Sequence, residues 1–305
     1  MTTLVLTRLV RMIVTLWGAV TLVFLLSRLS GDPIALMVPD GTPAADIEIL
    51  RQQLGFDAPL AVQYVNFLTG LPQGEFGRSI IYREPALSVV LQRLPATAEL
   101  ALLAMALSLT IGLSIGVAGA ARPDGLFGRI AVMIAVMGRA TPGFVFGIVL
   151  ILLFSVQFRL LPTGGRGEWF NLLMPAATLA FGATPTIVRI TRAQMLEAMR
   201  QEYVRTARAK GLSSSAIMWR HALKNASLPI VTIVGIQFGG LLGGAAIAET
   251  LFAWPGMGLL AISSINQRDY PVVQTVLLVS AFWFVLANAA VDIAYVALDP
   301  RSRRP

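Results

Sequence analysis

The sequence predicts an all-α, polytopic membrane protein: six transmembrane helices, with an extracytoplasmic insertion over residues 29–95 after the first. Three observations carry this. Of the 305 residues, 56% are hydrophobic and only 13% charged, where a soluble domain carries roughly 25% charge. Mean hydropathy is +0.73. The apolar residues fall in runs long enough to cross a bilayer, which takes about 20 residues as a helix. The expected organisation is one membrane domain over 1–305, with a polar segment at 192–225 as its main departure from apolar character.

The first run, Met12 to Leu26, follows Arg8 and Arg11. No small-x-small cleavage site comes after it, so it reads as an uncleaved span with a cytoplasmic N-terminus. The stretch that follows, Arg28 to Pro95, holds five Arg and seven Asp or Glu with many Pro and Gly. It contains two short helical patterns, Ala44 to Leu54 and Leu60 to Leu68, and is too small for a large core of its own.

Ala96 to Ala120 is the second span. Gly112, Gly116 and Gly119 repeat along it, and small residues let membrane helices approach closely. Gly128 to Phe158 is the third, with a helix break expected at Arg139, Pro142 and Gly143. Leu172 to Val188 is the fourth, Leu228 to about Ala248 the fifth, and Val272 to Leu298 the sixth. With both termini inside, the inner segments hold 15 Lys or Arg and the outer ones eight, five of these in the long stretch Arg28 to Pro95. Long translocated segments largely escape the positive-inside rule, so this orientation is the expected one.

Several classes of chemistry have no support in the residues. There is no cysteine and a single histidine, His221, which removes disulfide frameworks, Cys-based zinc sites and Cys nucleophiles. A P-loop needs Gly-x-x-x-x-Gly-Lys-Ser/Thr, and the only lysines, Lys210 and Lys224, are followed by Gly and Asn. The chain is therefore read as a non-catalytic subunit without metal or cofactor.

The polar segment is the most informative stretch. Arg192 to Lys210 is predicted as one helix, with Met195, Met199 and Tyr203 on a single stripe. Gly211 suits the position just past a helix C-terminus, and Ser213 suits the cap of a second helix. In that helix Leu212, Ala216, Trp219 and Leu223 form the apolar stripe. Physics alone leaves two readings open: a helix pair lying on lipid, or a docking element for a protein in the cytoplasm.

The spelling of this stretch adds information that its charge does not. Tyr203-Val-Arg-Thr-Ala-Arg-Ala-Lys-Gly211, followed by Arg220-His-Ala-Leu-Lys-Asn225 and Leu228-Pro229, resembles the coupling-loop signature of permease subunits in ATP-binding-cassette importers. It is most similar to the first permease of the dipeptide/oligopeptide/nickel branch. It departs from the broader importer motif, which begins Glu-Ala-Ala and reaches Leu-Pro sooner after the glycine. Arg205-Thr-Ala207 stands at that start here, as is usual in the peptide branch. The resemblance extends over nearly the whole chain, through Arg51-Gln-Gln-Leu-Gly55, Gly74-Glu-Phe-Gly-Arg-Ser79, Arg93-Leu-Pro-Ala-Thr97, Glu249-Thr-Leu-Phe-Ala-Trp-Pro-Gly-Met-Gly258 and Arg268-Asp-Tyr-Pro271.

What the resemblance implies is a type I importer permease in the bacterial cytoplasmic (inner) membrane. Its partners would be a second homologous permease, two ATPases that carry ATP and Mg, and an extracytoplasmic binding protein; nucleic acid is not among them. Peptides are the first expectation for cargo, with glutathione or nickel chelates as alternatives. The coupling residues would be Tyr203, Thr206, Ala207, Arg208, Lys210, Gly211, Leu212 and Trp219. Gly211 would supply the turn and Ala207 close packing. Leu212 and Trp219 would fill the ATPase cleft, with Arg208 and Lys210 at its rim.

A translocation path is sketched by Arg139, Gly239, Gly243 and Glu249. Charges inside a membrane usually face a bundle interior or a water-filled path. Arg139 is open to two readings, a contact for a substrate carboxylate or a structural ion pair. The glycines are likewise open to tight helix packing or a path wall. A secondary transporter is the reading from another class. Such folds show internal repeats with paired broken helices, and no repeat is evident here.

Overall fold

The computed structural model describes residues 2–29, 38, 41–53 and 55–298, and their side chains except at 2–9, 29, 50, 53, 139, 242–244 and 292–298. The described residues are helical throughout, with turns between. The helices are α1 (Thr2–Leu29), α2 (Ala44–Gln53), α3 (Leu60–Gly70), α4 (Ala86–Ala121), α5 (Leu126–Ala140), α6 (Gly143–Leu150), α7 (Leu173–Met199), α8 (Glu202–Ala209), α9 (Leu223–Leu251), α10 (Met257–Asn266) and α11 (Tyr270–Leu298). Among the described residues, four helices are long and apolar enough to cross a membrane. The number rises to six when each of two bent pairs is one span.

The expected break in the third span is present and sharp. Leu126–Gly138 and Gly143–Gln157 meet at 104°, because Pro142 is extended (ψ 138°) and cannot continue a helix through its missing N–H. Two other prolines behave differently. Pro95 lies inside α4 and Pro229 inside α9. Each forgoes a single backbone bond, which neighbouring helices can offset in a membrane bundle. The second span therefore begins at Ala86, ten residues before the predicted Ala96, and the last part of the predicted insertion is helix.

The chain divides into two compact units. The first comprises Thr2–Thr97 and Pro255–Val285. Its core joins Val89 and Val90 of α4, Met257 and Leu260 of α10, and Val272 and Val276 of α11. Near α1, the Phe24 ring packs on Tyr64 and Phe67, with centroids 5.2 and 5.7 Å away. The Arg28 guanidinium lies 4.3 Å from the Phe56 ring centroid.

A buried carboxylate ties this unit together. Asp269 is fully buried and accepts from the Ser79 hydroxyl. It also accepts from the backbone N–H groups of Ile80 and Ile81, both at 3.4 Å. Ser79 Oγ in turn accepts from the Tyr82 N–H at 2.8 Å. The Thr97 hydroxyl accepts from the Met257 N–H at 2.8 Å. Four sequence landmarks thus meet in pairs: the Gly74–Ser79 stretch with Arg268–Pro271, and the Arg93–Thr97 stretch with the end of Glu249–Gly258.

The second unit comprises chiefly Ala98–Trp254 and Leu286–Pro305, with α7 packed along α9, α5 and α6. The small residues of α4 act as expected. A Cβ on Gly112 would lie 2.5 Å from Ile187 Cγ2, and one on Gly116 would lie 2.6 Å from Thr191 Cβ. Both distances are far inside van der Waals contact, so only glycine lets α4 seat against α7. In the loop before α7, Arg166 pairs with Glu99 at 2.6 Å, and its guanidinium lies 5.9 Å from the Trp254 ring centroid.

Candidate functional site

The polar segment is built from two interruptions in what would otherwise be continuous helix. The first is at Arg200 and Gln201. Gln201 is extended (ψ 152°), so α7 stops at Met199 and α8 starts afresh at Glu202. The predicted single helix from Arg192 to Lys210 is therefore two. The Met195, Met199 and Tyr203 stripe still points inward on both pieces. Met195 belongs to a core with Ala198, Ala222 and Ala226, and Met199 and Tyr203 pack on a second cluster of Val204, Ala207 and Ile217.

The second interruption is the turn after α8, where Gly211 takes the expected position just past a helix C-terminus. Its φ is +77°, a left-handed conformation that costs a residue with a Cβ roughly 1–2 kcal/mol. The Gly211 N–H donates to Arg208 O at 2.9 Å and the Leu212 N–H to Ala207 O at 3.2 Å. This pair of bonds is the Schellman closure that satisfies the last carbonyls of a helix. A Cβ on Gly211 would meet nothing within 4 Å, so the requirement for glycine is conformational and not steric.

Ser213 then caps the next element as predicted, accepting from the Ala216 N–H at 3.3 Å. That element is not a separate short helix. One α-turn, Ser214–Ala216, runs into a π-helical stretch, Ile217–Ala222, and on into α9 at Leu223. The π stretch carries an extra residue per turn and shifts the angular register. For that reason the predicted stripe of Leu212, Ala216, Trp219 and Leu223 does not form the buried face. Ile217, Ala222 and Ala226 do. Leu212 is 39% and Trp219 50% exposed.

The predicted coupling residues thus separate into two layers. Ala207 is buried and Tyr203 half-buried, packing within the chain itself around Val204 and Ile217. Tyr203 Oη is buried and makes no hydrogen bond among the described residues. Thr206, Arg208, Lys210, Gly211, Leu212 and Trp219 are exposed, and Arg205, Arg220 and Lys224 are exposed around them. The outcome is a basic platform on which one leucine and one tryptophan are exposed.

The predicted path residues are less concentrated. The Arg139 side chain and Gly243 lie outside the described residues, although both positions fall within helices. Gly239 is buried in α9. Glu249 is fully buried, and its carbonyl accepts from the Trp254 N–H at 2.8 Å. A cavity of about 570 Å³ opens at the α5–α6 break, walled by Pro142 to Phe144, by α7 at Thr178 to Ala183, and by α9 at Gln237, Gly240 and Leu241. Gly240 rather than Gly239 belongs to that wall. Sequence reasoning did not single out Thr178, Gly182 or Gln237. Only the break at Pro142 hinted at a gap there, and which faces of two distant helices border it is a tertiary fact. No group of three or more His, Cys, Asp or Glu among the described residues is arranged to hold a metal ion.

The fold is that of type I importer permeases, and the family comparisons define the class, the membrane-embedded permease subunit of a binding-protein-dependent importer. Among solved structures, the inward-facing MetNI methionine ABC transporter aligns with a TM-score of 0.61 at 22% identity, covering 71% of this chain and 99% of the other. An amino acid ABC transporter with histidines aligns at 0.54 and 18% identity, covering 68% and 93%. Residues 108–304 match the family model "Binding-protein-dependent transport system inner membrane component", and residues 1–101 match its N-terminal companion; the chain belongs to this family. Glutathione transport system permease proteins GsiC are similar over almost the full length. The one from Pectobacterium atrosepticum is 38% identical over 297 residues, 97% of each chain, and that from Escherichia coli K12 is 38% identical over 300 residues, 98% of each. The protein is accordingly the permease subunit of an ABC importer, a multi-pass component of the inner membrane served by a binding protein and an ATPase.

Proposed function

We propose that this permease passes small peptides, glutathione-type tripeptides among them, from an extracytoplasmic binding protein into the cytoplasm by alternating access. The observation that carries this reading is the 38% identity, over 98% of both chains, to a glutathione permease. Two ATPase subunits bind ATP and Mg and hydrolyse the nucleotide. A second, homologous permease completes the pathway. This chain binds no cofactor and performs no catalysis, and both its termini are cytoplasmic.

In this reading the ATPase docks on the platform at residues 202–225. Leu212 and Trp219 enter its cleft, with Arg208 and Lys210 at the rim and Thr206 beside them. Tyr203 and Ala207 act from beneath by fixing α8 on Ile217, and Gly211 sets the angle between α8 and the element after it. Closure of the ATPase dimer moves this platform, and α7 and α9, which enter and leave it, carry the movement into the membrane. Arg139, Gly239, Gly243 and Glu249 belong to the path so opened.

The test is reconstitution of the four-subunit complex in proteoliposomes with its binding protein outside and ATP inside. Accumulation of labelled glutathione or dipeptide that needs both ATP and binding protein supports the reading. ATP-dependent accumulation of a nickel chelate in place of peptides would refute it. Uptake driven by an ion gradient without the ATPases would refute the importer coupling itself.

A further inference from the structure

The cavity at the α5–α6 break has a wall with two unusual properties, and together they point to what passes it. The first is its glycines. Where glycines elsewhere in this unit let helices touch, an added Cβ collides: on Gly138 it would lie 1.9 Å from Pro185 Cγ, and on Gly235 2.3 Å from Val291 Cγ2. Gly182 and Gly240 differ. Each lines the cavity, and a Cβ on either meets nothing within 4 Å. Glycine inside a helix costs roughly 0.5–1 kcal/mol relative to alanine. Neither residue has a left-handed φ. Packing within this chain and backbone geometry therefore leave both unexplained; both are exposed and border the open space of the cavity.

The second property is chemical. Among the described residues that line the cavity none is charged, and Thr178 and Gln237 are the polar ones. The Thr178 hydroxyl donates to Met174 O at 2.8 Å within its own helix. Gln237, half-buried on α9, is the wall's remaining polar group. A side-chain amide matches another amide, since it can donate and accept at once. It has no net charge with which to hold a terminal ammonium or carboxylate. The volume of about 570 Å³ lies within the roughly 300–1,000 Å³ of small-molecule sites.

We infer that this cavity is a size-limited passage for short amide-bearing solutes, in which Gln237 contacts the cargo's peptide groups and Gly182 and Gly240 set the longest cargo that fits. Cargo is read here by its backbone and its length. This rests on the peptide-import reading and narrows it to a position. The same wall would pass di- and tripeptides of differing side chain and would retard longer ones.

Two measurements on the assembled complex test this. In proteoliposomes, Gly240→Ala and Gly182→Ala shift preference toward dialanine and away from trialanine, because each adds one methyl to open space. Gly240→Leu lowers trialanine uptake about tenfold or more. Gln237→Leu raises the KM for both peptides about fivefold, the value of one amide hydrogen bond. The second measurement needs no transport. The chain has no native cysteine, so a maleimide reports directly on Gly240→Cys, and excess trialanine slows its reaction. Unchanged length preference together with no protection at Gly240→Cys overturns the inference. So does loss of the second permease from purified Gly240→Leu complex, since the cavity would then be a subunit seam. Failure of the unmodified complex to take up any peptide, with protection at Gly240→Cys intact, counts instead against the import reading while leaving the site occupied by peptide.

Discussion

Gly211 concentrates the proposed coupling in one residue. Its φ of +77° and the open space around it separate two effects that usually travel together. A substitution there strains the backbone without a clash. Asn, which tolerates the left-handed region, should cost least, then Ala, then the β-branched Val. Peptide taken up per ATP hydrolysed is expected to fall in that order, reaching roughly tenfold for Gly211→Val at a penalty near 1.4 kcal/mol. Equal transport by the Asn and Val variants would show that the turn does not set the coupling geometry. The turn at this residue was legible in the sequence, since a glycine after an amphipathic helix suits the left-handed position past its C-terminus. Asp269 was not. Its burial depends on Ser79, Ile80 and Ile81, about 190 positions away, and nothing local to Arg268-Asp-Tyr-Pro271 reveals that a carboxylate there will be enclosed by backbone N–H groups.

At the scale of the element, the platform shows what periodicity can and cannot deliver. A regular helical wheel placed Trp219 and Leu212 with Ala216 and Leu223. The π stretch Ile217–Ala222 breaks the assumption of 3.6 residues per turn, and with it that grouping. The break at Arg200–Gln201 was equally hidden, because neither residue is a strong helix terminator. Pattern alone therefore located the segment and mixed its inner and outer layers. The corrected layers predict opposite behaviour. Trp219→Ala removes an exposed side chain and should leave the permease's own thermal unfolding nearly unchanged, within about 0.5 kcal/mol. It should weaken ATPase binding by about thirtyfold, as expected of a tryptophan worth 2 kcal/mol at an interface. Ala207→Leu does the reverse. It overfills the cluster with Val204 and Ile217 and lowers the melting temperature of the permease before any partner is added. Titration of the purified ATPase against each variant in detergent, alongside a thermal melt, separates the two layers. Identical profiles for the two substitutions would mean that they are not distinct.

For the whole molecule, the fold class and the number of spans could be read from composition and run length, because a bilayer imposes one length scale on every crossing helix. What composition could not supply is the division into two units and the 104° bend, which depend on which helices pack together. On the orientation proposed from charge, the platform and both termini face the cytoplasm and residues 41–85 face outward. The absence of native cysteine makes this directly measurable. In intact cells, Asp57→Cys should react with a membrane-impermeant maleimide, whereas Ser214→Cys should react only after the inner membrane is opened. Reaction of Ser214→Cys in intact cells would invert the topology and remove the platform from reach of any cytoplasmic ATPase.

The Ser79–Asp269 contact also has a consequence for how the chain is made. The ribosome delivers residues at roughly 5–20 per second. The turn at Ser79–Tyr82 therefore waits on the order of 10–40 s for the carboxylate that will occupy it, while four further helices are being inserted. Throughout that interval the Ser79–Tyr82 turn lacks its carboxylate partner. A chain that stalls or is cleaved before Asp269 leaves this turn permanently open, with Ile80, Ile81 and Tyr82 on an unsecured loop. Quality-control proteases at the outer face of the membrane would meet such a loop only in products that had failed to reach their last helix.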